Sequence, residues 1–234
     1  MTTAEIQLWN IDINPASHDA DGLFSLLADC ELERAGNFRF EEHRHRWVAG
    51  RAMLRMILSG VTQQSPESVV FEYNDHAKPR LHYLSGNETV HFNLTHSGDV
   101  ALLAVTSAGP VGIDVEQVKR LPNIDAVVDR FFSPAERRAF KTVSGDADRL
   151  QAFYACWTRK EAYLKALGCG MSQPTDTFDV AFLADTEPKI VAIDGEQSAA
   201  RHWLLFDLDV SPGYVGALAI RSEDDVKLVW RTTP

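Results

Sequence analysis

The segment Gly109-Pro110-Val111-Gly112-Ile113-Asp114-Val115-Glu116-Gln117-Val118 divides the chain into two parts. Its Gly-Pro pair is a typical break between elements, and the alternating residues that follow predict a strand. After this break the order of helices followed by strands begins again. We therefore expect an α+β fold of two similar halves, residues 1–110 and 111–234, packed together, although the two halves show no obvious sequence identity.

Residues 6–13 of the first half alternate and predict a strand that ends at Asn14-Pro15. The apolar stripe of residues 47–58 predicts a long helix that ends at Gly60. Residues 91–94 and 100–105 predict two neighbouring strands joined by a short polar turn.

In the second half, Ser133-Pro134-Ala135-Glu136 predicts a helix start, with Ser133 as the N-cap and Glu136 closing a capping box. A helix through residues 153–167 is expected to end at Gly168. Segments 178–182, 202–206 and 214–220 predict antiparallel strands.

The composition predicts a globular protein with an acidic surface. Of the 234 residues, 45% are hydrophobic, and 33 acidic against 23 basic side chains give a net charge of −10. General nucleic-acid binding depends on a basic surface that neutralises phosphates, and adhesion to anionic lipid needs the same charge. We therefore expect no nucleic-acid or membrane partner, and a polyanionic ligand would need a local basic pocket.

The sequence also predicts a cytoplasmic location. The N-terminus has no basic and apolar signal pattern, and no stretch approaches the ~18–20 apolar residues of a membrane span. Cys30, Cys156 and Cys169 are widely spaced and odd in number, which favours reduced thiols over a disulfide framework or a zinc site.

The strand after the break carries two acidic residues, Asp114 and Glu116. Residues two apart on a strand share a face, roughly 6–7 Å from each other along the chain, so both carboxylates project together. Adjacent carboxylates repel each other unless a cation lies between them, and oxygen ligands favour Mg²⁺. An edge strand with a solvated face is the alternative interpretation.

The helix that contains Trp157-Thr158-Arg159-Lys160-Glu161-Ala162-Tyr163-Leu164-Lys165-Ala166 has a second group of interest. Residues four apart share a helix face, so Trp157, Glu161 and Lys165 form one stripe. A helix-stabilising ion pair between Glu161 and Lys165 is the structural alternative, and the aromatic residue on the same stripe indicates a face that is not wholly solvated.

The turn Asn93-Leu94-Thr95-His96-Ser97-Gly98 places two hydroxyls and an imidazole beside a glycine that lets the backbone approach a ligand. A hydrogen-bonded structural histidine is the alternative. No acidic partner for a catalytic triad and no glycine-rich phosphate loop accompany these residues.

Taken in order, these segments resemble the surfactin-type 4′-phosphopantetheinyl transferases. The matching segments are Phe92-Asn93-Leu94-Thr95-His96-Ser97, Gly112-Ile113-Asp114-Val115-Glu116, Phe131-Phe132-Ser133-Pro134-Ala135-Glu136 and the run from Trp157 to Lys165. The resemblance covers roughly residues 90–170, and the Ala77-Lys78-Pro79 turn and the Gly50-Arg51 helix upstream also look like the family.

The resemblance implies a pseudo-two-fold α+β protein with its active site between the halves. Such an enzyme moves the phosphopantetheine arm of coenzyme A to a serine of an apo acyl or peptidyl carrier protein and releases adenosine 3′,5′-bisphosphate. Asp114, Glu116 and Glu161 would bind Mg²⁺, with Glu161 also the base for the serine, directly or through a metal-bound water. Lys165 would bind the coenzyme and stabilise charge that builds on its pyrophosphate.

By family position, Thr95 and His96 would contact the phosphates of the coenzyme, with Asp114 beside them. The candidates for the 3′-phosphate and the adenosine end are Arg34, Arg51, Lys78 and Arg80. Two positions depart from the family: Thr95 stands where many relatives have serine, and the segment with Arg34 also contains the acidic Glu31, so that one cationic contact is expected to be missing.

Two other function classes stay open from the sequence. A Mg²⁺-dependent phosphohydrolase would use the same carboxylates on a nucleotide and activate water. A non-catalytic module that binds carrier protein or coenzyme A would have little need of Glu161. The resemblance places a whole site within one chain, so we expect a monomer.

Overall fold

The computed structural model of the chain describes residues 3–17, 20–82 and 90–234. In chain order its elements are β1 (Ala4–Asp12), α1 (Ala20–Phe24), α2 (Asp29–Gly36), α3 (Glu41–Thr62), β2 (Phe71–Tyr73), β3 (Pro79–Leu81), β4 (His91–Ser97), β5 (Val100–Thr106), β6 (Val111–Gln117), α4 (Ile124–Phe131), α5 (Pro134–Phe140), α6 (Asp146–Leu167), β7 (Phe178–Val180), β8 (Ile190–Ile193), α7 (Gln197–Ala200), β9 (Trp203–Leu208), β10 (Tyr214–Arg221) and β11 (Val226–Arg231). Among these helices, none is both long and apolar enough to span a lipid bilayer.

Two main sheets organise the chain. The first has the strand order β11-β1-β5-β4 and the second β6-β10-β9, while β2 with β3 and β7 with β8 form separate pairs. Strand β11 runs parallel to β1, and the other neighbours in the two main sheets are antiparallel.

Each main sheet has the same connectivity. A first strand (β1 or β6) is followed by a helix of 22 residues (α3 or α6) and then by two strands, of which the later one lies in the middle of the sheet. The predicted α+β fold of two similar halves is therefore confirmed. Strand β11 comes from the end of the chain and joins the first sheet, so a division of the whole chain at residue 110 stays a prediction.

Most of the predicted elements lie where the sequence patterns indicate. Helix α3 continues two residues past Gly60 and ends where Gln63 takes a left-handed conformation, with φ of 55°. Helix α6 ends at Leu167, because the next residue, Gly168, takes a left-handed conformation with φ of 71°. The predicted strand at residues 178–182 is shorter, ends at Val180 and pairs with β8 outside the main sheet.

The core has layers on both sides of the first strands. Ile6 and Leu8 of β1 pack with Val111 and Ile113 of β6 in a layer shared by the two sheets. On the opposite faces, the first sheet packs against α3 and the second sheet against α6.

A buried ion pair is repeated in the two halves. Glu31 in the first turn of α2 and Glu136 in the first turn of α5 each accept a hydrogen bond from the N-cap backbone N–H, at 2.9 and 2.8 Å. Each carboxylate also pairs with a cation on the long helix 24 residues later, Arg55 at 2.6 Å and Lys160 at 2.8 Å. The predicted capping box at Ser133 is confirmed. At Ala28, 105 residues earlier, only the glutamate half of such a box is present, because alanine has no side-chain acceptor.

Strand β6 and helix α6 touch through their backbones. A Cβ atom on Gly112 would lie 2.0 Å from the carbonyl oxygen of Ala162 and 2.2 Å from the backbone nitrogen of Ala166. The strand and the helix can approach this closely only because position 112 is glycine and the helix residues that face it are alanines. The approach brings the acidic strand face beside the predicted catalytic stripe of α6.

We expect Gly112→Ala to lower the free energy of unfolding by about 3 kcal/mol or more, since overpacking costs typically 1–3 kcal/mol and here the clash is with backbone. Gly60→Ala is the matched control, because a Cβ there meets no atom within 4 Å, and it should gain roughly 0.5–1 kcal/mol of helix propensity. Urea unfolding of both variants measures the difference. Equal stabilities of the two variants would contradict the backbone contact.

Candidate active site

The candidate site lies where β4 of the first sheet runs beside β6 of the second. Alternate side chains of β4 bridge the two strands by hydrogen bonds. The bonds join Asn93 Oδ1 to the N–H of Ile113 (2.8 Å), Thr95 Oγ1 to Asp114 Oδ1 (3.2 Å) and Ser97 Oγ to Glu116 Oε2 (2.8 Å). We call these three bonds the polar seam. It fixes both acidic side chains of β6 from the opposite half.

Asp114 is the most buried acid of the site, with 3% of its surface exposed. Its Oδ1 accepts hydrogen bonds from Lys165 Nζ at 2.5 Å and from Thr95. Its buried Oδ2 has no hydrogen-bond partner among the described residues. Burial raises the pKa of Asp114 to about 7 against the opposing effect of Lys165, and the nearby Glu116 and Glu161 raise it further.

Glu161 is half-buried and makes no hydrogen bond or ion pair with any residue in the described ranges. Burial raises the pKa of its carboxyl, Lys165 lowers it and Glu116 raises it. The alternative interpretation of Glu161 and Lys165 as a helix-stabilising pair is not what the structure shows, because the Lys165 ammonium is bound to Asp114 and Thr95 instead.

The third member of the helix stripe, Trp157, is partly buried. Its ring packs edge-on against Phe131 and stacks with Phe153, at centroid distances of 5.4 and 5.9 Å. Trp157 therefore anchors the helix face next to the acidic cluster.

The chemistry of the donor set fits a hard divalent cation. Glu116 and Glu161 raise the pKa of Asp114, and Glu116 raises that of Glu161, so a cation between these carboxylates would relieve the repulsion. Asp114 also has a buried oxygen without a partner. Within the described ranges no three His, Cys, Asp or Glu side chains are grouped so as to hold a metal by themselves. Mg²⁺ often takes one or two carboxylates and completes its shell with substrate phosphates and water.

Thr95 and His96 lie side by side in sequence but differ in environment. The Thr95 hydroxyl accepts a hydrogen bond from Lys165 at 2.8 Å and is buried in the seam. The His96 side chain is exposed. Partial loss of solvation lowers the pKa of its imidazole, and the positive charge of Lys165 lowers it further.

Two of the four predicted phosphate-binding cations are paired with acids. Arg51 is buried, forms an ion pair with Glu31, donates to the Tyr73 hydroxyl at 2.8 Å and stacks 3.9 Å above the Phe71 ring centre. The sequence predicted that the acidic Glu31 takes the place of one cationic contact to the coenzyme. In the structure the Glu31 carboxylate instead binds two arginines of the chain itself, Arg51 and Arg55.

The second paired cation is Arg80, which is exposed and bound to Glu72 at 2.8 Å. Lys78 is bound to backbone carbonyls of Val111, Lys165 and Ala166. Arg34 is exposed, lies 5.3 Å from the Trp47 ring centre and has no ion pair with the described residues. The assignment of these cations to the coenzyme stays a prediction.

Ser97 was not predicted as a site residue, because the sequence pattern predicted a turn after residue 94, whereas strand β4 continues to Ser97. Residues 93, 95 and 97 alternate on one strand and therefore share a face. A polar side chain at each of these positions indicates a polar contact with another element, and the structure shows that element to be β6.

Comparison with known proteins shows the family of the chain. Residues 110–219 match the 4′-phosphopantetheinyl transferase superfamily, and residues 11–108 match the N-terminal region of a 4′-phosphopantetheinyl transferase. The chain is 34% identical to the 4′-phosphopantetheinyl transferase HetI of Nostoc sp. strain PCC 7120, over 92% of this chain and 87% of that protein. This chain belongs to the 4′-phosphopantetheinyl transferase superfamily.

Other relatives agree with this membership. The chain is 32% identical to the 4′-phosphopantetheinyl transferase psf-1 of Bacillus pumilus, over 82% of this chain and 79% of that protein. It is 28% identical to the 4′-phosphopantetheinyl transferase Sfp of Bacillus subtilis strain 168, over 90% of this chain and 89% of that protein. The chain is accordingly an enzyme of the phosphopantetheinyl transferase class.

We expect Asp114→Asn to raise the melting temperature of the metal-free protein at pH 8. The raised pKa of Asp114 means that ionisation costs folding stability as the pH rises from about 4 to about 7, and asparagine abolishes this cost. Thermal unfolding in a chelator at pH 5 and pH 8 measures the effect, which should be smaller at pH 5.

Asp129→Asn is the matched control, because Asp129 is exposed. A lower melting temperature of Asp114→Asn at pH 8 would contradict the prediction and show that the ion pair with Lys165 outweighs the cost of burying Asp114.

Proposed function

We propose that the enzyme transfers the 4′-phosphopantetheine arm of coenzyme A to a serine of an apo acyl or peptidyl carrier protein, with Mg²⁺, and releases adenosine 3′,5′-bisphosphate. The observation that carries the proposal is the contact of Lys165 with the buried Asp114 next to the polar seam, beside a Glu161 that has no bonded partner among the described residues. This contact places a carboxylate that can bind a cation beside a lysine that can bind phosphate.

In the proposed reaction the serine hydroxyl oxygen attacks the phosphorus that carries the pantetheine arm. A new oxygen–phosphorus bond forms, the bond to the bridging pyrophosphate oxygen breaks, and that electron pair leaves on adenosine 3′,5′-bisphosphate. Asp114, Glu116 and Glu161, together with substrate phosphate and water, would hold Mg²⁺, which when bound supplies positive charge against the pyrophosphate.

We assign to Glu161 the role of base for the serine proton. Its half-buried carboxylate makes no bond with the described residues, and its raised pKa brings it closer to neutral pH, where a general base is most effective. The sequence leaves open whether the serine proton passes to Glu161 directly or through an intervening water.

We assign to Lys165 the stabilisation of negative charge on the departing phosphate. Its ammonium is held by Asp114 Oδ1 and Thr95 Oγ1, at 2.5 and 2.8 Å, so it is oriented before the substrate binds. Preorganised donors of this kind need little rearrangement during the reaction. Thr95 and His96 would contact the pyrophosphate beside it.

We further propose a cytoplasmic monomer without nucleic-acid or membrane partners. The family resemblance implies a whole site within one chain, which supports the monomer. The net charge of −10 disfavours nucleic acids and anionic lipid surfaces as partners, and the three cysteines are free thiols, which supports a reducing compartment.

Mass spectrometry of an apo carrier protein tests the proposal. After incubation with enzyme, coenzyme A and Mg²⁺, the carrier should gain the mass of the phosphopantetheine arm on one serine, and adenosine 3′,5′-bisphosphate should accumulate in equal amount. Hydrolysis of coenzyme A without carrier would favour a phosphohydrolase instead. Tight binding of either substrate without conversion would favour a non-catalytic module.

Metal dependence separates the roles of two acids. Glu161→Gln should lower kcat by about 10²–10⁴-fold, the usual contribution of a general base, while coenzyme A still binds and excess Mg²⁺ gives no rescue. Asp114→Ala removes a proposed ligand, so excess Mg²⁺ should restore part of its activity. Glu187→Gln, at an exposed position, controls for loss of a carboxylate.

The measurement is a Mg²⁺ titration of kcat for the three variants, with coenzyme A binding measured separately by calorimetry. If Mg²⁺ restored Glu161→Gln as fully as Asp114→Ala, Glu161 would be a metal ligand only and the base would be another group.

A further inference from the structure

The turn between β2 and β3 is held in one conformation by Asn74. The Asn74 Oδ1 atom accepts hydrogen bonds from the backbone N–H groups of His76 and Lys78, at 3.0 and 2.8 Å. Ala77 has a φ of 60°, a conformation that the surrounding turn must stabilise because a non-glycine residue rarely adopts it. The backbone that carries the Lys78 side chain is thus fixed.

This turn, which belongs to the first half, caps the end of helix α6 in the second half. The last four carbonyl groups of a helix have no partner within it. Lys78 Nζ donates to the carbonyl oxygens of Lys165 and Ala166, the latter at 3.4 Å, and Asn74 Nδ2 donates to that of Gly168 at 2.8 Å. A positive charge at a helix C-terminus is also favourable for the helix dipole.

The same ammonium reaches strand β6. Lys78 Nζ donates at 3.1 Å to the carbonyl oxygen of Val111, the residue before Gly112. An ammonium has three hydrogens, and here three backbone carbonyls surround it. One side chain therefore binds both backbone segments that carry the proposed catalytic residues, Lys165 on α6 and Asp114 on β6.

The packing around Lys78 is tight. A Cβ atom on Gly168 would lie 3.2 Å from both Lys78 Cδ and Asn74 Nδ2, so the stem of the lysine passes directly over the helix end. Burial lowers the pKa of Lys78 to about 8, in agreement with an ammonium enclosed by protein. A phosphate ligand of Lys78 would have to displace these carbonyl contacts.

We propose that Lys78 is a positioning residue that locks the end of α6 to β6 and thereby holds Lys165 at Asp114, rather than a ligand of the coenzyme 3′-phosphate. The expected effect of Lys78 on the reaction rate rests on the proposed function. The expected effect of Lys78 on the stability of the end of α6 does not depend on that function.

The test compares Lys78→Met, which keeps the aliphatic stem and removes the three donors, with Lys189→Met, which removes an exposed ammonium. Hydrogen exchange without substrates measures the protection of the amides of residues 165–168. Steady-state kinetics with coenzyme A and with dephospho-coenzyme A, and calorimetric binding of coenzyme A, measure the functional effect. Arg34→Gln serves as the comparison for loss of a phosphate contact.

For Lys78→Met we expect faster exchange at residues 165–168 and a kcat lowered by about 10–100-fold, since small displacements of catalytic groups cost rates of this order. The dissociation constant of coenzyme A should stay within about twofold, and the preference for coenzyme A over dephospho-coenzyme A should not change. Lys189→Met should leave all four quantities unchanged.

Three results would overturn the proposal: unchanged exchange at residues 165–168, an unchanged kcat, or a loss of the preference for coenzyme A. The last result would make Lys78 a phosphate ligand. If Lys78→Met does not fold, Asn74→Ala should show the same changes at smaller size, because it removes the bond to Gly168 and the two turn bonds from the N–H groups of His76 and Lys78 but keeps the Lys78 ammonium. Unchanged exchange in that variant would overturn the proposal equally. If the wild-type enzyme transfers nothing, the proposed function fails, while the exchange measurement still tests the lock.

Discussion

The backbone contact between strand β6 and helix α6 is the constraint on which the candidate site depends. It exists because Gly112 has no side chain and because Ala162 and Ala166 face it. A helix on a sheet normally stands off by the length of the side chains between them. Here the two elements touch, so side chains as short as Asp114 and as long as Lys165 meet directly. The polar seam then fixes β6 from its other side.

Buried charges serve different purposes in the scaffold and in the site. Glu136 is enclosed by Lys160 and two backbone N–H groups, and a buried ion pair with this many bonds has most of its desolvation offset. Asp114 is also removed from water and Glu161 partly so, but Asp114 has a buried oxygen without a partner and Glu161 has no bonded partner among the residues that the structure describes. Acidic side chains with unpaired hydrogen-bonding atoms and a shifted pKa are characteristic of functional sites.

Local pattern was enough to predict the strand that carries Asp114 and Glu116, the helix that carries Glu161, and the capping box at Ser133. Each depends on neighbours within a few residues along the chain, which the sequence displays. The family resemblance then joined these segments into one expected site. Residue spacing on the helix favoured Glu161 as the partner of Lys165. The observed partner, Asp114, lies on another element and therefore leaves no trace in that spacing.

Partners that are distant in sequence, or that are not side chains, could not be predicted. Arg51 is one of several arginines on α3, and nothing local indicates that its guanidinium turns to Glu31 on another helix. Lys78 binds carbonyl groups, which every residue has and which leave no signature in the sequence. The two positions therefore looked like free cations until the tertiary structure showed what they bind.

The buried glutamate and its helix cation recur at an interval of 105 residues, so the two halves can be compared position by position at this interval. At the same interval, Asp114 corresponds to Trp9, Glu116 to Ile11 and Glu161 to Met56. Trp9 and Ile11 lie in the apolar layer against α3, and Met56 packs beside them. The second half thus carries acids on the strand and helix faces where the first half has apolar side chains. The same packing of a strand against a long helix therefore forms a hydrophobic core in one half and holds the carboxylates of the candidate site in the other.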